Sequence, residues 1–217
     1  MASLKEFTVP TARPLPVIIL ADVSGSMEAD GKINALNLAV SEMLSSFKSE
    51  DDLRAEIQVA VITFGADVAT LHLPLVRAEQ VTWTDMPAQG STPMGAAFQR
   101  VRAMLEDRAM IPSRAYRPTL VLLSDGQPTD EWKPALEALL QSERGGKALR
   151  MALAIGADAD EAVLKAFLGN PEARVFRADE ARQIRQFFRF VSLSVRTRSR
   201  SVNPNAAPVT ADDDFDL

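Results

Sequence analysis

Short, uninterrupted apolar runs recur along this chain, separated by segments whose apolar residues fall at helical spacing. Val17–Ala21 and Leu120–Leu123 are apolar at every position. A strand tolerates that only when both of its faces are covered, as in a parallel sheet flanked by helices. Between such runs, 32–48 places Ile33, Leu36, Val40, Met43, Leu44 and Phe47 on one helical face. The same reading gives strands at 17–22, 56–64, 68–76, 119–124, 150–155 and 174–177, and helices at 32–48, 93–108, 131–143, 160–168 and 179–195. Val68–Val76 follows a tight connection at Gly65, which makes it an antiparallel edge strand. The expected fold is a three-layer, doubly wound α/β domain with a mostly parallel six-stranded sheet and one antiparallel edge strand.

A chain of 217 residues buries roughly 70% of its unfolded surface and needs no disulfide or structural zinc to fold. It has no cysteine, which removes thiol nucleophiles, iron–sulfur clusters and cysteine-ligated zinc. Its single histidine, His72, lies in the expected edge strand and reads as a surface or half-buried strand residue. The net charge of −5 is uneven, because Asp212, Asp213, Asp214 and Asp216 lie beyond Val202 with no base among them. The remainder carries 24 bases against 25 acids, so neither a nucleic-acid nor an anionic-membrane surface is expected. The apolar runs are too short to span a bilayer, and prolines at 10, 14 and 16 break up any signal-peptide core. A cytoplasmic protein is expected. The domain is placed at 16–195, after an N-terminal extension (1–15) and before a tail (196–217) too polar and proline-rich to order itself.

Two of the doubly covered strands close on aspartate. The first leads into Asp22-Val-Ser24-Gly-Ser26 and the later one into Ser124-Asp125-Gly126. In an open α/β sheet, ligands bind beyond the carboxyl ends of the strands where strand order reverses. A third polar loop, Gly90-Ser91-Thr92-Pro93, precedes a helix and can reach that edge. Carboxylates and hydroxyls without nitrogen or sulfur form an oxygen-only donor set. Such a set suits a hard divalent cation, Mg²⁺ first and Mn²⁺ or Ca²⁺ next.

Asp22-x-Ser24-x-Ser26, then Thr92, then Asp125 resembles the metal-ion-dependent adhesion site (MIDAS) of von Willebrand factor A domains, and the likeness covers roughly 16–195. The resemblance implies that Ser24, Ser26 and Thr92 coordinate the cation directly and that Asp22 and Asp125 hold it mostly through water. It implies that an Asp or Glu of a partner protein completes the coordination, and that the two aspartate-bearing strands are adjacent. The wording Gly90-Ser-Thr-Pro-Met-Gly95 and Asp125-Gly-Gln-Pro-Thr-Asp130-Glu-Trp132 is similar to the compact bacterial branch typified by tellurium-resistance Y-type proteins. That likeness implies a non-enzymatic adaptor in stress response, with a Ser/Thr kinase or a PP2C-type phosphatase as partner.

Other features read more plainly. Gly25–Lys32 mimics a phosphate-binding P-loop, but its spacing is wrong and Ile33 stands where Ser or Thr is needed. Asp130 is expected to cap the helix beginning at Glu131. Trp83 and Trp132 are expected in packing roles. Arg196, Arg198 and Arg200 read as a solvated tail, with Ser199 and Ser201 as weak phosphorylation candidates and the acidic end as a candidate ligand for another molecule's metal site. Two rival functions are an Mg²⁺-dependent phosphohydrolase of the haloacid-dehalogenase type and a subunit of an AAA+ chelatase or remodelling machine. The first uses a second aspartate two residues after the nucleophile as proton donor, where this chain has Ser24.

Overall fold

The computed structural model describes residues 12–49 and 54–206. The central sheet has six strands: β1 (Arg13–Asp22), β2 (Ala55–Gly65), β3 (Val68–Arg77), β4 (Thr119–Ser124), β5 (Leu149–Ile155) and β6 (Phe176–Ala178). Their order is β3-β2-β1-β4-β5-β6. Only β3 runs antiparallel among the described residues, at the edge beside β2. The helices are α1 (Lys32–Lys48), α2 (Met94–Glu106), α3 (Trp132–Gln141), α4 (Glu161–Leu168) and α5 (Ala181–Arg200). The expected fold class is the observed one.

The continuous apolar runs have the cause inferred for them. Along β1, Leu15, Val17, Ile19 and Ala21 enter one core with α1 and α5, while Ile18 and Leu20 enter a second core with α2, α3 and α4. β4 divides the same way, Val121 and Leu123 to the first and Leu120 and Leu122 to the second. With period-two alternation and a helical layer on each side, every position of a central strand is buried. Among the described residues, no helix is long and apolar enough to cross a membrane.

β1 begins at Arg13, four residues before Val17, so residues 13–15 of the expected extension belong to the sheet. Pro14 and Pro16 are tolerated because 13–16 pair with β2, whereas β4 starts alongside Val17. Proline is acceptable on a strand where one side is open. Residues 1–11 lie outside the described part of the chain.

The tail expectation needs correcting for 196–206. α5 continues to Arg200, and Val195, Arg198 and Ser199 are buried. Arg198 follows Val191 and Val195 on the inward stripe and donates to Thr119 Oγ1, to the Arg117 carbonyl (2.7 Å) and to the Pro204 carbonyl (3.0 Å). Arg117 in turn donates its backbone N–H to Asn205 Oδ1 at 2.8 Å. Ser199 is fully buried and donates to the Arg196 carbonyl, which removes it as a phosphorylation site. The acidic end, and the docking role expected of it, lie outside the described residues.

Candidate metal centre

Strand order reverses between β1 and β4: the chain winds outward through β2 and β3 on one side of β1, and through β4, β5 and β6 on the other. Ala21 pairs with Leu123, so the next residues, Asp22 and Ser124, stand side by side on one face. Ser124 Oγ donates to Asp22 Oδ2 at 2.6 Å, and the Ser24 backbone N–H donates to Asp22 Oδ1 at 2.9 Å. Asp22 is fully buried. Burial pushes its carboxyl up to about 6, against the hydrogen bonds from Ser124 and Ser24, with the nearby Asp125 charge adding a smaller upward push.

From Asp22 the oxygens continue as a chain. Ser24 Oγ and Ser26 Oγ are 3.1 Å apart, and Ser26 Oγ donates to Asp125 Oδ1 at 2.7 Å. Thr92 stands beside this chain: it is buried, and its Oγ1 lies 3.8 Å from where a Cβ on Gly126 would be. Asp22, Ser24, Thr92 and Asp125 are all buried, whereas Ser26 is exposed. The cluster therefore opens to solvent on the Ser26 side.

Backbone hydrogen bonds sew the three loops together. Gly25 N–H donates to the Gly90 carbonyl at 2.9 Å, and Gln89 N–H donates to the Val23 carbonyl at 2.7 Å. Gly90 has φ +74, and a Cβ there would fall 2.5 Å from Ala66 Cα, so this crossing requires glycine. On the other side, Thr129 Oγ1 accepts from the Thr92 N–H at 3.1 Å while the Thr129 N–H donates to the Thr92 carbonyl at 3.0 Å.

Asp130 does not cap the helix that follows it. Its two oxygens accept the N–H groups of Gly95 and Ala96, at 2.8 and 2.9 Å, and so cap α2 from another loop. A Cβ on Gly95 would meet the Glu131 carbonyl at 2.9 Å, so the two loops close on a glycine. Asp130→Ala is expected to cost about 1 kcal/mol of stability and to weaken Mn²⁺ binding severalfold, because the loop carrying Thr92 loses its anchor. Thermal melts and Mn²⁺ titration of the variant check both effects.

The aromatic residues near the loops are packed, as expected. Trp83 and Trp132 are half-buried against the two cores. Trp83 donates to Asp85 Oδ1 and meets His72 edge-on, and His72 Nε2 lies 2.8 Å from the Thr84 carbonyl. Sequence reasoning missed Lys32, whose Nζ lies 2.8 Å from Asp125 Oδ2. It was discarded together with the P-loop mimic; its only signal was a cation at the head of a helix adjoining a two-aspartate edge.

Among the described residues, no group of three or more His, Cys, Asp or Glu side chains could hold a metal. Any cation here rests on hydroxyls and two carboxylates. The geometry fits that role. An octahedral ion with oxygens at about 2.1 Å has neighbouring ligands about 3 Å apart, and the Ser24–Ser26 and Ser26–Asp125 separations are 3.1 and 2.7 Å.

The family model of the von Willebrand factor type A domain matches residues 17–190. The chain belongs to the von Willebrand factor type A family. The pilus adhesin SpaC of Lactobacillus rhamnosus GG, in its open conformation, superposes with a TM-score of 0.70 at 16% identity, covering 87% of this chain and 30% of SpaC. A von Willebrand factor type A protein of Catenulispora acidiphila gives 0.65 at 19% identity, covering 84% and 42%. Proximal thread matrix protein 1 of the mussel byssus, with a zinc-occupied MIDAS motif, gives 0.60 at 19% identity, covering 83% and 45%. This chain thus spans less than half the length of each of these three proteins. A search among curated proteins found no match.

Proposed function

We propose that this A-type domain is a non-enzymatic binding module that captures a partner protein's Asp or Glu through a divalent cation, Mg²⁺ first, held by Asp22, Ser24, Ser26, Thr92 and Asp125. The observation that carries this reading is the hydrogen-bonded run from Asp22 through Ser24 and Ser26 to Asp125. It is buried except at Ser26, where an outside ligand can enter. Bound there, the cation supplies a Lewis-acidic bridge to a carboxylate. The residues themselves do the positioning. Asp22 fixes the Ser24 backbone, Ser124 fixes Asp22, and Thr129 holds the Thr92 loop. An all-oxygen set favours a hard ion over the zinc named for the byssus protein.

At a finer level we assign it to the compact bacterial adaptors that resemble tellurium-resistance Y-type proteins. Such an adaptor is cytoplasmic, acts in stress response, and has a Ser/Thr kinase or PP2C-type phosphatase as partner. The loop wording at Gly90–Gly95 and Asp125–Trp132 supports this. The test is capture of the kinase or phosphatase by the purified chain with Mg²⁺, with chelator, and by Asp22→Ala. Capture that needs Mg²⁺ and is lost in Asp22→Ala supports the reading. Capture that survives both treatments overturns the bridging role, and Mg²⁺-dependent hydrolysis of p-nitrophenyl phosphate overturns the non-enzymatic one.

A further inference from the structure

We infer that Lys32 tunes the charge of this centre, weakening its hold on the bare cation and strengthening its demand for an outside carboxylate. This rests on the metal-bridging reading above. Lys32 is the first residue of α1, entered through Gly31 at φ +68. A cation at a helix N-terminus opposes the helix dipole, so helix stability does not account for it. Its ammonium turns instead to Asp125 Oδ2 at 2.8 Å, while Asp125 Oδ1 takes the Ser26 hydroxyl. The Asp125 side chain is fully buried and that of Lys32 is 20% exposed, so solvent screens the pair only in part. The loop after β5 passes beside the ammonium: a Cβ on Gly156 would stand 3.5 Å from Nζ, in ordinary contact with it.

The charges then decide the behaviour. Asp22 and Asp125 alone neutralise a divalent ion, and a neutral centre gains little from a further anion. With Lys32 included the protein contributes a net −1, the filled centre is +1, and one carboxylate from outside restores neutrality. Lys32 also competes with the cation for Asp125. The two effects have opposite signs, which separates this role from simple structural support.

The experiment compares wild type, Lys32→Met and Lys32→Arg. Mn²⁺ affinity is read by the electron paramagnetic resonance signal of free Mn²⁺, and acetate binding to the Mn²⁺-loaded protein by water-proton relaxation. Lys32→Met is expected to bind Mn²⁺ about tenfold more tightly and acetate about tenfold more weakly, with Lys32→Arg close to wild type in both. Unchanged or weaker Mn²⁺ binding in Lys32→Met overturns the proposal while leaving the metal centre standing. Absence of Mn²⁺ binding by the wild type overturns the centre itself, and the proposal with it.

Discussion

Asp22→Asn is expected to make the cation-free protein more stable while sharply weakening its affinity for divalent ions. The amide keeps both local contacts: its oxygen accepts the Ser24 N–H, and its nitrogen donates to the Ser124 hydroxyl in place of the bond Asp22 now accepts. Only the charge is lost. Burial raises the Asp22 carboxyl from 3.8 to about 6, so at neutral pH the fold carries an ionised group that burial disfavours. Below the ordinary carboxylate range the group is protonated in both folded and unfolded chains. Between the two values the folded chain holds a proton that the unfolded chain has released. Stability without cation therefore falls as pH rises from about 4 through about 6, by about 3 kcal/mol in total. Asp22→Asn removes that slope and raises the melting temperature at pH 8 on the order of 5 °C. Its Mn²⁺ affinity should drop at least about 100-fold. Wild-type Mn²⁺ affinity should fall below pH 6, since the ion needs the carboxylate ionised. Melts from pH 4 to 8 without cation, beside Mn²⁺ titrations at each pH, check both halves. A variant less stable than wild type at pH 8 contradicts the cost of the buried charge.

Arg198→Ala is expected to destabilise the fold by about 3 kcal/mol. The guanidinium is buried and satisfied by a hydroxyl and two carbonyls. Truncation leaves Thr119 Oγ1 and the Arg117 and Pro204 carbonyls without their donor and opens a cavity beneath α5. Burial, with the neighbouring Arg117 charge, lowers the Arg198 guanidinium to about 10, so the site already carries a desolvated cation. Deleting residues from 196 onward should cost at least as much, because it removes the same hydrogen bonds together with the last turn of α5. Urea melts of both variants measure this. A wild-type midpoint in either means that 196–206 contributes nothing to the fold.

The sheet was legible in the sequence because the middle of a doubly covered strand is apolar at every position, as Val17–Ala21 and Leu120–Leu123 show. The ends of elements were less so. Pro14 and Pro16 read only as interruptions of a signal-peptide core, yet they lie in β1 where no strand pairs with it on one side; only the register discloses that. The alternation of Arg with Ser and Thr after Val195 read as solvated, whereas helical spacing from Val191 puts Arg198 inward, where the Arg117 and Pro204 carbonyls meet it. In the candidate site, Asp22, Ser24 and Ser26 were legible as one motif, and the chain direction of β4 brought Asp125 to them. Thr92 was found as a candidate, but not the contact that holds its loop. Asp130 looked like a cap for its own helix because capping is usually local; here it caps α2 across a loop boundary. Lys32 belonged only to the rejected P-loop mimic, and its place beside Asp125 follows from a tertiary contact alone.

The most direct test is a crystal structure grown with Mn²⁺ and read by anomalous scattering. The account predicts one peak at the carboxyl edge of β1 and β4, bonded to the Ser24, Ser26 and Thr92 hydroxyls and flanked by Asp22 and Asp125, with a position open beside Ser26. Crystals in millimolar Mn²⁺ that show no peak there, with Ser26 still donating to Asp125, contradict it.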